Sequence, residues 1–135
     1  MTQEEEELLL KDLCARLPYG VICKDTNINV TGTLSQIGLH YDICVLDKDN
    51  GDSESCYILN CKPYLFPLSS MTEEQRKEYD TIIYSGAELH AERYYDVIDI
   101  DEFDVLMDFY NKHHLDYRGL IPMDLAIDAT GLNIY

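Results

Sequence analysis

Cys61-Lys62-Pro63-Tyr64-Leu65-Phe66-Pro67-Leu68-Ser69-Ser70-Met71-Thr72-Glu73-Glu74 divides the chain into two rhythms. Before it, apolar residues alternate with polar ones, as in strands. After it, they recur at helical spacing. Pro63 and Pro67 lack the amide hydrogen that a ladder needs, so a strand ends here or runs along an edge. Ser70 with Glu73, or Thr72 with Gln75, has the spacing of a helix-capping box. Tyr64, Leu65, Phe66 and Leu68 are too apolar for a free linker. They are expected to pack across the sheet and join a β-rich part (about 19–66) and a helical part (about 70–130) into one domain, 1–135.

Upstream, Thr2 and Glu5 fit another capping box, and Glu4 to Glu7 put negative charge at the positive end of a helix. Leu9, Leu10, Leu13, Cys14 and Leu17 form its apolar stripe, and Pro18-Tyr19-Gly20 stops it. The period then becomes two. Val21 and Cys23 alternate with polar neighbours, Ile28, Val30, Gly32 and Leu34 share one face, and Tyr41, Ile43 and Val45 repeat the pattern. Ser55 to Cys61 is apolar on both faces, as in a central strand. Asp25-Thr26-Asn27 marks a turn, and Asp49-Asn50-Gly51 is a strong hairpin signal, because Asn-Gly accepts positive φ.

Downstream, a helix is predicted to run to about Tyr84 and end at Ser85-Gly86. Tyr94 to Ile100 reads as a fifth strand or a loop. Asp99 or Asp101 then caps a helix with Phe103, Leu106, Met107 and Tyr110 on one face, ending near His113-His114. An apolar stretch from Leu120 to Ala129 follows, and the tail from Gly131 to Tyr135 is expected to pack loosely. The expected class is α+β: an N-terminal helix, a small curled antiparallel sheet or SH3-like barrel of four to five strands, and two C-terminal helices.

Charge narrows the function classes. With 26 acidic against 10 basic residues, the net charge is −16. Such a field repels nucleic acid and anionic lipid and attracts basic protein surfaces. No basic–aromatic stripe is present, so no direct nucleic-acid binding is expected. The acidic N-terminus lacks the basic start of a signal peptide, and no apolar run reaches membrane-spanning length. The expected location is the cytoplasm, with no membrane partner. Five cysteines, Cys14, Cys23, Cys44, Cys56 and Cys61, are odd in number and show no C-x-x-C spacing. They read as small core hydrophobes in a reducing compartment, with neither a disulfide frame nor a zinc site.

Three clusters are candidates for chemistry. His113-His114-Leu115-Asp116-Tyr117-Arg118-Gly119 gathers two imidazoles, a carboxylate, a phenol and a guanidinium at a helix C-terminus. An enzyme would use His114 as base and Arg118 as anion clamp, with Asp116 and Tyr117 beside them. A structural reading is stronger, because a helix C-terminus stabilises cationic His without catalysis and Arg118 can satisfy Asp116 or the last carbonyls. Asp47-Lys48-Asp49-Asn50-Gly51-Asp52-Ser53-Glu54 has the composition of a calcium loop, but its glycine falls at the wrong place and its flanks read as strands. Asp96, Asp99, Asp101, Glu102, Asp104 and Asp108 form an acidic face that reads first as solvated, then as a binding face, either a weak divalent-cation site or part of a mimic surface. No phosphate loop, dinucleotide fingerprint or nucleophile motif is present, and no metal or cofactor is expected.

Leu13-Cys14-Ala15-Arg16-Leu17-Pro18-Tyr19-Gly20-Val21, Lys62 to Thr72, and His114-Leu115-Asp116-Tyr117-Arg118-Gly119-Leu120-Ile121 together resemble a family of small hypothetical proteins of Bacteroides-type gut bacteria and their phages and prophages. Phe66 departs from an Arg in that pattern, as does the segment after Ile121. The resemblance implies one shared fold and a phage or mobile-element context, and it assigns no catalytic residue. The leading expectation is a non-enzymatic acidic protein that binds a host or phage protein. A nucleic-acid mimic and a small enzyme or ligand binder using His113 to Arg118 are the alternatives.

Overall fold

The fold is described from a computed structural model, over residues 1–38, 40, 42–89 and 100–135 and without the side chains of 84–89 and 100–102. Helix α1 (Gln3–Arg16) begins at the expected capping box, Thr2 accepting from the Glu5 amide and Glu5 reaching back to the Thr2 amide. A 3-10 turn (Leu17–Tyr19) closed by Gly20 at φ 69° reverses the chain. Strands β1 (Ile22–Asp25), β2 (Val30–Gly38), β3 (Ile43–Asp47) and β4 (Ser53–Tyr57) follow. A 3-10 turn (Ile58–Asn60) leads into β5 (Cys61–Leu65). After a further turn (Leu68–Ser70) come α2 (Glu73–Leu89), α3 (Ile100–Lys112) and a short β6 (Ile127–Asp128).

The sheet runs in the order β4-β3-β2-β1-β5-β6. Among the described residues it has six strands, it is mixed, and it does not close, which corrects the expected antiparallel sheet or barrel of four to five. The extra strands have local causes. Ile58–Asn60 tightens into a 3-10 turn and splits the expected Ser55–Cys61 strand into the end of β4 and the start of β5. β6 adds in parallel beside Tyr64 and Leu65 only, so Pro63, paired with Cys23 across β1, meets no second strand that would need its amide. β2 and β3 approach so closely at Gly32 that a Cβ there would lie 2.7 Å from the Asp47 carbonyl oxygen.

The hairpin at Asn50-Gly51 forms as expected, with Gly51 at φ 90° and Cys44 opposite Cys56. The face of β3 is reversed from expectation: Cys44 and Leu46 enter the core, and Ile43 and Val45 are half-buried. Ile28 belongs to a turn and is exposed. Thr72 and Gln75, rather than Ser70 and Glu73, form the box that starts α2. That helix continues through Gly86 to Leu89, because one interior glycine costs only about 1 kcal/mol and does not stop a helix. Residues 90–99, including most of the Tyr94–Ile100 segment, lie outside the description. α3 starts at Ile100, which puts Asp101 inside its first turn.

Two apolar clusters fill the interior. One joins Leu9 and Leu13 of α1 to Val21, Leu34, Leu46, Leu65, Leu120 and the strand cysteines. The other gathers Leu106, Phe109 and Leu115 beneath α2 and α3. The tail does not pack loosely. The Tyr135 hydroxyl donates to the Tyr64 carbonyl and accepts from the Ile22 amide.

Candidate functional site

The His113–Arg118 segment is held by backbone bonds to the junction that divides the chain. The Phe66 amide donates to the His114 carbonyl (2.8 Å), and the Asp116 amide donates to the Phe66 carbonyl (2.8 Å). His114 ends α3 in the left-handed conformation, φ 56°, and the Leu115 amide reaches back to the Tyr110 carbonyl. That is a Schellman closure with His where Gly is usual. The ring stacks on Tyr135 at 3.7 Å, while its buried Nδ1 finds no hydrogen-bond partner among the described residues.

Tyr117 and Arg118 come together, while Asp116 and His113 each have other partners. Both Asp116 carboxylate oxygens accept amide bonds, from Leu120 (2.8 Å) and Ile121 (2.9 Å), so this side chain closes a turn. Tyr117 stacks on Tyr110 at 5.0 Å, with Arg118 over its ring at 4.7 Å. His113 lies 3.2 Å from Glu78, which also pairs with Lys112. Sequence spacing does not reveal what lies beside this segment, namely Asp12 and Arg16, both fully buried on α1. Arg16 Nε donates to Asp12 Oδ2 (2.8 Å) and Nη2 to the Leu115 carbonyl (2.7 Å). Arg118 faces Asp12 Oδ1 at 3.8 Å. Burial holds the Asp12 carboxyl above its ordinary range, against the lowering effect of Arg16. The cluster is a polar layer between the two apolar clusters.

Burial, then the charges of Arg16 and His113, push the His114 imidazole down to about 4 from 6.5. The unfolded chain therefore binds a proton at His114 before the folded chain does. The resulting stability is full above about pH 6.5 and is lost as pH falls toward 4. His114→Asn keeps a residue that tolerates positive φ but cannot titrate. Denaturant melts should show the wild-type advantage over this variant shrinking by about 2 kcal/mol between pH 7 and pH 4.5. A gap that stays constant would refute the assignment.

The acidic face is partly placed. Asp96 and Asp99 lie outside the described residues, as do the side chains of Asp101 and Glu102. Asp104 is exposed, and Asp108 accepts from the Tyr19 hydroxyl, which ties α3 to the end of α1. In the Asp47–Glu54 loop, Asp47 accepts from Ser35 and Ser53, and Glu54 pairs with Lys48.

A second acidic surface surrounds the Ile58–Asn60 turn. Leu59 is 50% exposed and is shared by two adjoining clefts. One is lined by Glu6, Glu7, Leu10, Asp42 and Ile58; the other by Met1, Glu5, Met123 and Asp124. Met1 and Met123 are themselves exposed, extending an apolar ridge inside a ring of carboxylates. Among the described residues, Lys62 supplies the one cationic side chain lining these clefts, and it pairs with Asp124 at 2.9 Å.

Within the sheet, the Sγ atoms of Cys44, Cys56 and Cys61 lie within 4.8 Å of one another. The neighbouring thiols of Cys23 and Cys56, with burial, push the Cys61 thiol far above its ordinary value. All four are at most 2% exposed, whereas Cys14 is exposed. No described helix is long and apolar enough to cross a membrane. The chain matches no protein-family model, no curated protein and no solved structure.

Proposed function

We propose that this is a non-enzymatic acidic interaction protein of phage or prophage context, acting in the bacterial cytoplasm on a host or phage protein. The observation that carries the reading is the Leu59 ridge in its ring of carboxylates. An apolar anchor inside a charged rim is the anatomy of a protein-binding surface. The sign of the rim selects a partner segment with an apolar side chain flanked by Lys or Arg, and steers its approach. The nucleic-acid-mimic alternative has less support, since an apolar ridge copies nothing on a phosphate backbone. The exposed acids among the described residues also start from separate elements: α1, the β3–β4 hairpin, α2 and α3. The enzyme alternative has less support too, because both Asp116 oxygens are taken by amides and Tyr117 and Arg118 are held against Tyr110 and Asp12.

The test is selection from a random peptide library displayed against the pure protein. Basic–apolar peptides should be enriched, and their binding should weaken steeply with salt. Leu59→Glu should reduce that binding at least tenfold while leaving stability within about 0.5 kcal/mol, because the side chain is half in solvent. Enrichment of acidic peptides, or binding indifferent to Leu59→Glu, would refute this reading.

A further inference from the structure

We infer that Cys44, Cys56 and Cys61, with Cys23 of the neighbouring strand as candidate fourth ligand, form a structural site for a thiophilic divalent cation of the zinc class. Sequence spacing conceals the set because its members come from four different strands, β1, β3, β4 and β5. Strand register brings them together. Cys44 and Cys56 are directly opposed across the β3–β4 hairpin. Cys61 opens β5, which lies three places from β3 in the sheet order, so a flat sheet would hold it about 14 Å from Cys44. Curl instead brings all three sulfurs within 4.8 Å of one another.

The separation suits coordination. Thiolates around tetrahedral zinc at about 2.3 Å stand about 3.8 Å apart, so each sulfur–sulfur distance needs to contract by at most about 1 Å. Cys23, fully buried on β1 beside β5, is the candidate for the fourth corner. The donors are all sulfur and buried, so the site is closed, with no open position for substrate. That is the pattern of a structural rather than a catalytic zinc centre. Packing alone calls for no such convergence, since Val or Ala would fill a sheet interior. Cys14, outside the set, faces solvent.

Burial means that metal enters as the chain folds, and the experiment follows from that. The full chain is unfolded in denaturant with reductant, without oxygen, and refolded with Co2+ or Zn2+. One Co2+ per chain should be retained after desalting, with the intense absorption of tetrahedral cobalt thiolate, and Zn2+ should displace it. Free Zn2+ at about a hundredfold excess over Kd should raise Tm by about 5–10 °C. Cys44→Ala and Cys61→Ala should lose the signal, and Cys14→Ser should keep it. If the alanine variants do not fold, X-ray absorption on the zinc-loaded wild type decides, with a sulfur shell at about 2.3 Å expected. No retained metal, an oxygen–nitrogen shell, or retention of Cu(I) alone would overturn the assignment.

Discussion

Arg16→Ala is expected to cost about 3–5 kcal/mol of folding stability, although the residue touches neither proposed binding site. Its guanidinium is fully buried and bonds to Asp12 and to the Leu115 carbonyl. Truncation leaves the Asp12 carboxylate facing only Arg118, at 3.8 Å, in a site where burial already raises its pKa. An uncompensated buried charge is the costly outcome, far more so than the loss of a pair. Two companion measurements separate the mechanisms. Asp12 without Arg16 should protonate more readily, so the penalty should shrink as pH falls toward 5. The double change Asp12→Leu with Arg16→Met removes both charges at similar volume and should recover more than half of the loss. A single variant within 1 kcal/mol of wild type, or a double no better than the single, would show that this layer is not held by charge compensation.

That layer also explains which parts of the fold the sequence made legible. Capping boxes are local chemistry, and both Thr2–Glu5 and Thr72–Gln75 formed where their spacing placed helix starts. The Asn50-Gly51 turn is local too, and its symmetry about position 50 sets Cys44 opposite Cys56. Features that depend on distant partners were hidden. Asp12 and Arg16 have the i,i+4 spacing of an ordinary surface pair, and only docking against Leu115 and Tyr117 buries them. The parallel pairing of Ile127 with Tyr64 joins residues too far apart in sequence for any local pattern to announce. The thiol cluster belongs to the same class. Its signal was strand parity, which a reading by C-x-x-C spacing does not test. The Leu59 surface was hidden because Ser55–Cys61 reads as one continuous strand, while the chain turns at Ile58–Asn60 and pushes Leu59 outward.

Phe109→Ala is expected to cost about 3–5 kcal/mol, and it tests whether the two apolar clusters unfold as one. Phe109 is 1% exposed and meets Tyr79 of α2, Tyr110 and His113, so its ring is the centre of the helical cluster. Routes from the second cluster to the first include the Phe66–Leu115 bridge, the Arg16 bond to Leu115, and the Tyr19–Asp108 bond. Through these routes the loss should reach the whole molecule. The variant and Leu46→Ala, which opens a cavity in the sheet cluster, should each lower a single transition seen alike by tyrosine fluorescence and far-ultraviolet dichroism. The alternative is distinct: α2 and α3 melting first in Phe109→Ala, with the sheet signal unmoved until higher denaturant. That would make the polar layer a hinge between two units, and the Pro63–Pro67 junction a linker rather than part of a shared interior.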